Sequence, residues 1–246
     1  MAKSKDQLDA EKRLSAEFAT RWIKDGTCVG LGSGSTAAYF IESLGRRVRE
    51  EGLDITGIAT SKASEALARE VGLKVVEPFR GLRIDFAVDG ADEFDSDLTL
   101  IKGGGGALLR EKVIASNASY FLVIADSSKY VSDLGKFPLP IEVVPFASPL
   151  VMDQLEQMGG KPEIRRVTGS EEIVRTDQAN FIIDCHFQSI TDASRLSRSL
   201  FELPGVVDHG LFIKLANAAA VANGNDVMVY RPGQPPLRGD QFQPQL

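Results

Sequence analysis

The chain has 246 residues, 43% hydrophobic and 25% charged, enough to bury about 72% of its unfolded surface, which excludes a disordered or fibrous protein. Twenty-eight Lys and Arg against 34 Asp and Glu leave a net charge of -6, and no face carries a long basic stripe, which argues against nucleic acid or an anionic membrane as partner. The charged N-terminus lacks an apolar signal segment and no apolar stretch reaches about 20 residues, so the expectation is a soluble, cytoplasmic protein. Cys28 and Cys185 sit in apolar runs, TCVGL and FIIDC, and read as buried inert thiols rather than a disulfide.

In chain order, apolar spacing predicts a helix from Leu8 to Lys24, broken at Asp25-Gly26. Strand and helix then alternate: strand Thr27–Leu31, helix Ala37–Glu51, strand Ile55–Ala59 and helix Lys62–Val71. Short strands at Lys74–Val76, Ile84–Val88 and Leu98–Ile101, a helix at Ala107–Ala118 and a strand at Tyr120–Ala125 follow. Apolar strands alternating with helices imply a parallel sheet covered on both faces, an α/β architecture. The pattern changes at Lys136-Phe137-Pro138-Leu139-Pro140, where two prolines punctuate the chain. Residues 138–205 read as a smaller α+β unit with an antiparallel sheet: strands near 141–146, 163–167 and 181–187, and helices near 149–158 and 192–201. Residues 206–246 are expected to return to the first domain, 1–137, through strands at 205–212 and 226–230. The Pro- and Gln-rich tail from Arg231 reads as loose.

In an open parallel sheet ligands bind beyond the carboxyl ends of the strands, and five unusual segments fall there. Gly30-Leu31-Gly32-Ser33-Gly34-Ser35-Thr36 joins a strand to a helix, so backbone N–H groups and hydroxyls can converge on a phosphate. It is neither a Walker A loop nor a dinucleotide fingerprint, because Ser35 stands where the third glycine should be. A plain capped turn is the alternative. Ser61, Lys62 and Ser64 would add hydroxyls and a cation, or simply cap the next helix. Asp89-Gly90-Ala91-Asp92-Glu93-Phe94-Asp95 packs four acids into seven positions after an apolar strand, a repulsion that either a divalent metal or lysines such as Lys102 and Lys129 would offset. His186 and His209 read as satisfied strand residues rather than ligands.

Lys102-Gly103-Gly104-Gly105-Gly106 is the sharpest signal, since four glycines permit a backbone path closed to other residues, although a flexible loop is also compatible. On the following helix Glu111 is centred on a stripe with Ala107, Leu108, Ile114, Ala115 and Ala118, with Arg110 and Lys112 to the sides. A carboxylate in such a stripe is desolvated and its pKa raised, which suits a general base. A buried ion pair is the competing reading.

Taken together, GSGSTAAYFI, VDGADEFD, IKGGGGALLREKVIAS, ADSSKYVSDLGKFPLPIEVVPFA and PGVVDHGLF resemble the ribose-5-phosphate isomerase type A family over nearly the whole chain. The resemblance implies a Rossmann-like domain carrying the site, a smaller ferredoxin-like α+β domain used partly in homo-oligomer contacts, most simply a homodimer, and no metal or organic cofactor. It implies the interconversion of ribose 5-phosphate and ribulose 5-phosphate, a step of the non-oxidative pentose phosphate pathway, with Glu111 moving a proton between C1 and C2 through a cis-enediolate. Asp89 and Asp92 would contact sugar hydroxyls and assist ring opening, and Lys102 would stabilise the developing oxyanion. Ser33, Gly34, Ser35, Thr36, Gly90, Ala91, Gly103, Gly104, Gly105 and Lys129 would complete the substrate site. Three positions depart from the family pattern: Ser33 for a threonine, Gly106 for a frequent alanine, which would loosen the helix start, and a serine-poor ATSKAS loop. A non-catalytic sugar-phosphate sensor is the alternative, but the roughly 25 residues before the first strand leave little room for a helix-turn-helix segment. A nicotinamide dehydrogenase is disfavoured by Ala59-Thr60, where the ribose-binding acid would stand.

Overall fold

The computed structural model describes residues 3–244. Met1, Ala2, Gln245 and Leu246, which belong to the N-terminal and tail readings, lie outside the described residues. The first helix, α1 (Lys5–Thr20), starts one turn earlier than its apolar spacing suggests, because Ser4 and Gln7 close a reciprocal capping box. The chain continues through β1 (Cys28–Leu31), α2 (Gly34–Glu51), β2 (Thr56–Ala59), α3 (Lys62–Glu70), β3 (Lys74–Val75), β4 (Ile84–Asp89), β5 (Glu93–Phe94), β6 (Leu100–Ile101), α4 (Leu108–Asn117) and β7 (Ala118–Asp126). A second unit holds β8 (Leu139–Val143), α5 (Ser148–Gln157), β9 (Lys161–Ile164), β10 (Phe181–His186), α6 (Ala193–Phe201) and β11 (Val206–His209). The chain ends with β12 (Leu211–Phe212), β13 (Ala218–Asn223), β14 (Asp226–Arg231) and β15 (Gln234–Arg238).

The main sheet has eight strands in the order β15-β14-β13-β7-β4-β1-β2-β3. From β13 to β3 every pairing is parallel, and β14 and β15 add an antiparallel edge. Strand order reverses direction at β1 and β4, the crevice where doubly wound sheets bind ligands. Val29, Leu31, Phe86, Val88, Leu122 and Ile124 face a core shared with Phe40, Ile41 and Leu44 of α2, while Ala87, Phe121 and Val123 face Ile114 and Ala115 of α4. The alternation of strand residues between two apolar layers explains the near-continuous hydrophobic strands. The second unit is a four-stranded antiparallel sheet, order β11-β8-β10-β9, with α5 and α6 in the connections, the ferredoxin-like arrangement. Among the described residues no helix is long and apolar enough to cross a membrane.

Four expectations need correction. Leu98–Ile101 does not extend the parallel sheet: Asp95 accepts the N–H groups of Asp97 and Thr99, both at 2.9 Å, and turns the chain so that β6 joins β5 and β12 in a separate three-stranded sheet. Val206–His209 does not return to the first domain but pairs with β8, so the crossing back comes after His209. β13 was not anticipated, because AAAVAN has one β-branched residue, Val221, and no aromatic among its alanines, yet it lies buried between β7 and β14. The tail is not loose as far as it is described. Pro235 and Pro236 are tolerated because β15 is an edge strand, and Phe242 packs edge-on against Trp22, ring centres 5.2 Å apart.

Candidate active site

A cleft of about 130 Å³ opens at the carboxyl edge of β1, β4 and β7. Its walls are Lys12, Ser33, Gly34, Ser35, Thr36, Gly90, Ala91, Asp92, Lys102, Gly103, Gly104, Gly105, Glu111 and Lys129. Asp89 lies behind this wall. Its Oδ1 accepts the N–H groups of Ser33 at 3.0 Å and Gly90 at 2.7 Å, and its Oδ2 is 3.1 Å from Lys102 Nζ. These contacts tie Asp89 to Lys102 and to the turn after β1, and its Oδ2 keeps a second lone pair. Gly32 is required for this approach, since a Cβ there would lie 2.2 Å from Asp89 Oδ1.

The acidic segment divides its four carboxylates by task. Glu93 accepts the N–H groups of Gly135 at 2.9 Å and Phe137 at 2.5 Å, and Asp95 closes its own turn. Asp92 faces the cleft and accepts the N–H of Gly104 at 2.8 Å. Repulsion is therefore relieved by backbone donors and by Lys102, without the metal alternative being needed to account for the cluster.

The glycine loop is fixed from three sides. Gly103 takes φ +103° and Gly106 φ +78°, conformations that glycine adopts without strain. Gly106 N–H donates to Gly103 O at 2.9 Å, so it closes the loop rather than loosening the start of α4. From the second unit Arg165 donates through Nη1 to Gly103 O at 2.9 Å and Gly104 O at 3.1 Å, while Asp184 accepts from Nε at 2.7 Å and from Nη2. Sequence reasoning missed Arg165, which sits in an ordinary-looking strand end.

Lys102 follows β6 into the cleft floor and is 3% exposed. Its Nζ donates to Gly90 O at 2.6 Å and stands 3.3 Å from Glu111 Oε2. Burial acts to lower its pKa, but Asp89, Glu111 and Asp92 outweigh burial and raise it, so the ammonium stays charged. Glu111 projects from α4 beside the buried Leu108, Ile114 and Ala115, on the face the apolar stripe marks. Its Oε2 has no hydrogen-bond partner. Burial pushes the carboxyl up to about 8, against the pull of Lys102 and with Asp89 and Asp92 adding to the rise. Arg110 and Lys112 point sideways, toward Asp177 and Asp208.

At the other side of the cleft, the N-terminus of α2 presents Gly34, Ser35 and Thr36, with Lys12 from α1 and Lys129 from the loop after β7. A helix N-terminus, hydroxyls and two ammonium groups together have the chemistry to hold an anion. Lys12 carried no signal of this role, since DAEKR reads as a solvated helix face. Ser61, Lys62 and Ser64 do not reach the cleft. Ser64 Oγ donates to Gly32 O at 2.6 Å and Ser61 Oγ to Ser64 Oγ at 2.9 Å, so these hydroxyls brace the turn from behind. His209 is buried away from the cleft, within 2.9 Å of Ser197 Oγ, and both cysteines are free and buried.

Residues 56–226 match the model of ribose 5-phosphate isomerase A (phosphoriboisomerase A). The chain is 46% identical to ribose-5-phosphate isomerase A of Methanothermobacter thermautotrophicus, over 89% of this chain and 97% of that one. It is 45% identical to the Roseobacter denitrificans protein of the same name, over 92% and 88%. Its fold superimposes on ribose 5-phosphate isomerase A from Methanocaldococcus jannaschii with a TM-score of 0.87 at 41% identity, covering 91% of this chain and 99% of that one. A D-ribose-5-phosphate isomerase in complex with phospho-erythronic acid gives 0.88 at 38% identity, with the same coverage. On its sequence, its fold and the architecture of its cleft, this chain belongs to the ribose 5-phosphate isomerase A family.

Proposed function

We propose that the chain interconverts D-ribose 5-phosphate and D-ribulose 5-phosphate through a cis-enediolate, with Glu111 as the base. The observation that carries this reading is a buried carboxylate with an unpartnered oxygen, set beside a buried ammonium on the floor of a cleft that Lys12, Lys129 and the N-terminus of α2 also line. Glu111 takes the C2 proton of the open-chain aldose, the electron pair forms the C1–C2 double bond, and negative charge develops on O1. Lys102 stabilises that charge with no reorganisation of its own. Glu111 then returns the proton to C1, and the hydroxyl proton passes from O2 to O1, which leaves the ketose. Asp92 and the loop Gly103–Gly105 hold sugar hydroxyls, and Lys12, Lys129 and residues 33–36 hold the phosphate. The phospho-erythronic acid complex of a structural relative supports a sugar-phosphate ligand here.

Conversion of ribose 5-phosphate in EDTA, with wild type beside Glu111→Gln and binding followed in both, tests this reading. Turnover by wild type and binding without turnover by the variant supports it. Binding by both without turnover would replace it with the sensor reading. We further place the domain limits at 138 and 209, and assign self-association to the second unit, a reading supported by the exposed Val144, Phe146, Leu150 and Phe201.

A further inference from the structure

Glu11 is a buried carboxylate that the reaction above does not use. It lies on α1, one residue before Lys12, and is 1% exposed. Its Oε2 accepts the N–H of Ser127 at 3.1 Å and the hydroxyl of Ser127 at 2.7 Å. Its Oε1 accepts the N–H of Gly224 at 2.7 Å and the ammonium of Lys3. Lys3 donates further to Ser127 Oγ at 2.8 Å and Asn223 Oδ1 at 2.6 Å. Burial works to raise the carboxyl, but these donors win and hold it at about 2, so it is ionised wherever the protein is folded and assayed.

Ser127 opens the short loop that carries Lys129, and Lys12 is the next residue after Glu11. One buried charge therefore ties together the two backbones that present ammonium groups to the cleft. Two like charges facing an empty site repel each other, and an unbraced loop would let them separate. We propose that Glu11 is a positioning residue that sets the spacing of Lys12 and Lys129 and thereby the affinity for the substrate's phosphate. The inference rests on the assignment of those lysines to the phosphate.

The test uses the full-length chain. In Glu11→Gln the amide nitrogen cannot accept from Ser127 or Gly224, so KM for ribose 5-phosphate should rise about tenfold, the scale of one weakened charge-assisted contact. The inhibition constant of inorganic phosphate should rise in parallel, kcat should stay within about twofold, and the acid limb of the pH profile should not move. In a Lys129→Ala background the same substitution should change KM less than about twofold, because coupled residues are non-additive. Ser127→Ala, which removes one donor and keeps the backbone bond, should raise KM in the same direction by less. An unchanged KM in folded Glu11→Gln, a fall in kcat alone, or a full effect persisting without Lys129 would each overturn the proposal. Should Glu11→Gln fail to fold, an unmoved KM in Ser127→Ala overturns it instead. If wild type does not convert ribose 5-phosphate, the isomerase assignment fails, and calorimetry with inorganic phosphate still decides the role of Glu11: weaker binding in the variant supports it, equal binding overturns it.

Discussion

Lys102 and Glu111 stand 3.3 Å apart without a hydrogen bond between them, an ammonium and a carboxyl that the fold holds close. Lys102 is committed to Asp89 and to Gly90 O, which leaves a Glu111 oxygen free to take a proton. The base must be ionised to act, and burial raises its pKa. kcat/KM should therefore fall as pH drops through a value above the ordinary carboxylate range, up to about 8 in the free enzyme. A pH–rate profile that stays flat down to pH 5, with chemistry shown to be rate-limiting, would refute the assignment.

Glu111→Gln keeps the shape of the side chain and removes its basicity. The expected loss in kcat is roughly 100- to 10,000-fold, the usual contribution of general base catalysis, with binding retained. The same variant should gain stability relative to wild type as pH rises. A carboxyl whose pKa is raised by folding is neutral at no cost at low pH, and opposes the folded state increasingly between about 4.5 and about 8. Paired thermal melts at pH 5 and pH 9 measure this, and the gap between the two proteins should be larger at pH 9.

Two glycine substitutions should differ in what they cost in stability. An alanine Cβ at Gly104 would meet Asp92 Oδ1 at 2.5 Å, the movable end of a side chain, whereas one at Gly32 would meet Asp89 Cα at 2.6 Å, which is backbone. Gly104→Ala should lower kcat/KM about tenfold by displacing a substrate-facing carboxylate, at little cost in Tm. Gly32→Ala should cost about 1–3 kcal/mol of stability by overpacking, seen as a Tm lowered by several degrees.

Phe242 buries its ring against Trp22 from a segment that follows the last strand. Phe242→Ala should lower stability by about 3–5 kcal/mol while kcat and KM stay near wild type, because neither Phe242 nor Trp22 lines the cleft. Denaturant unfolding beside steady-state kinetics checks both halves. A loss of activity in the folded variant would show that the tail reaches the site.

The site was largely legible because its residues carry local signatures. The glycine run, the acidic cluster and the carboxylate on an apolar stripe each contradict what an isolated element would prefer, and such conflicts mark function. Lys12, Glu11 and Arg165 carry no such mark, since a charged residue on a helix or strand end looks the same whether it meets solvent or a partner far along the chain. Asp89 and Asp92 looked equivalent for a similar reason: which of two nearby carboxylates faces a cleft depends on the turn between them. Of the fold, apolar strands such as Ile84–Asp89 declared themselves, while β13, built mostly of alanine, hid behind a composition that favours helix.

The position of β13 also bears on how the protein is made. It is the parallel neighbour of β7 in the main sheet, yet it leaves the ribosome only after the whole second unit has been synthesised. Until then the nascent chain presents β7, whose central residues are all buried in the finished protein, as an unpaired apolar edge. Such an edge invites intermolecular pairing, and closing it depends on contacts remote in sequence, which form slowly. Chaperone dependence and aggregation during synthesis should therefore be governed by the interval between translation of these two strands, and a synonymous pause placed between them should lengthen the window of risk.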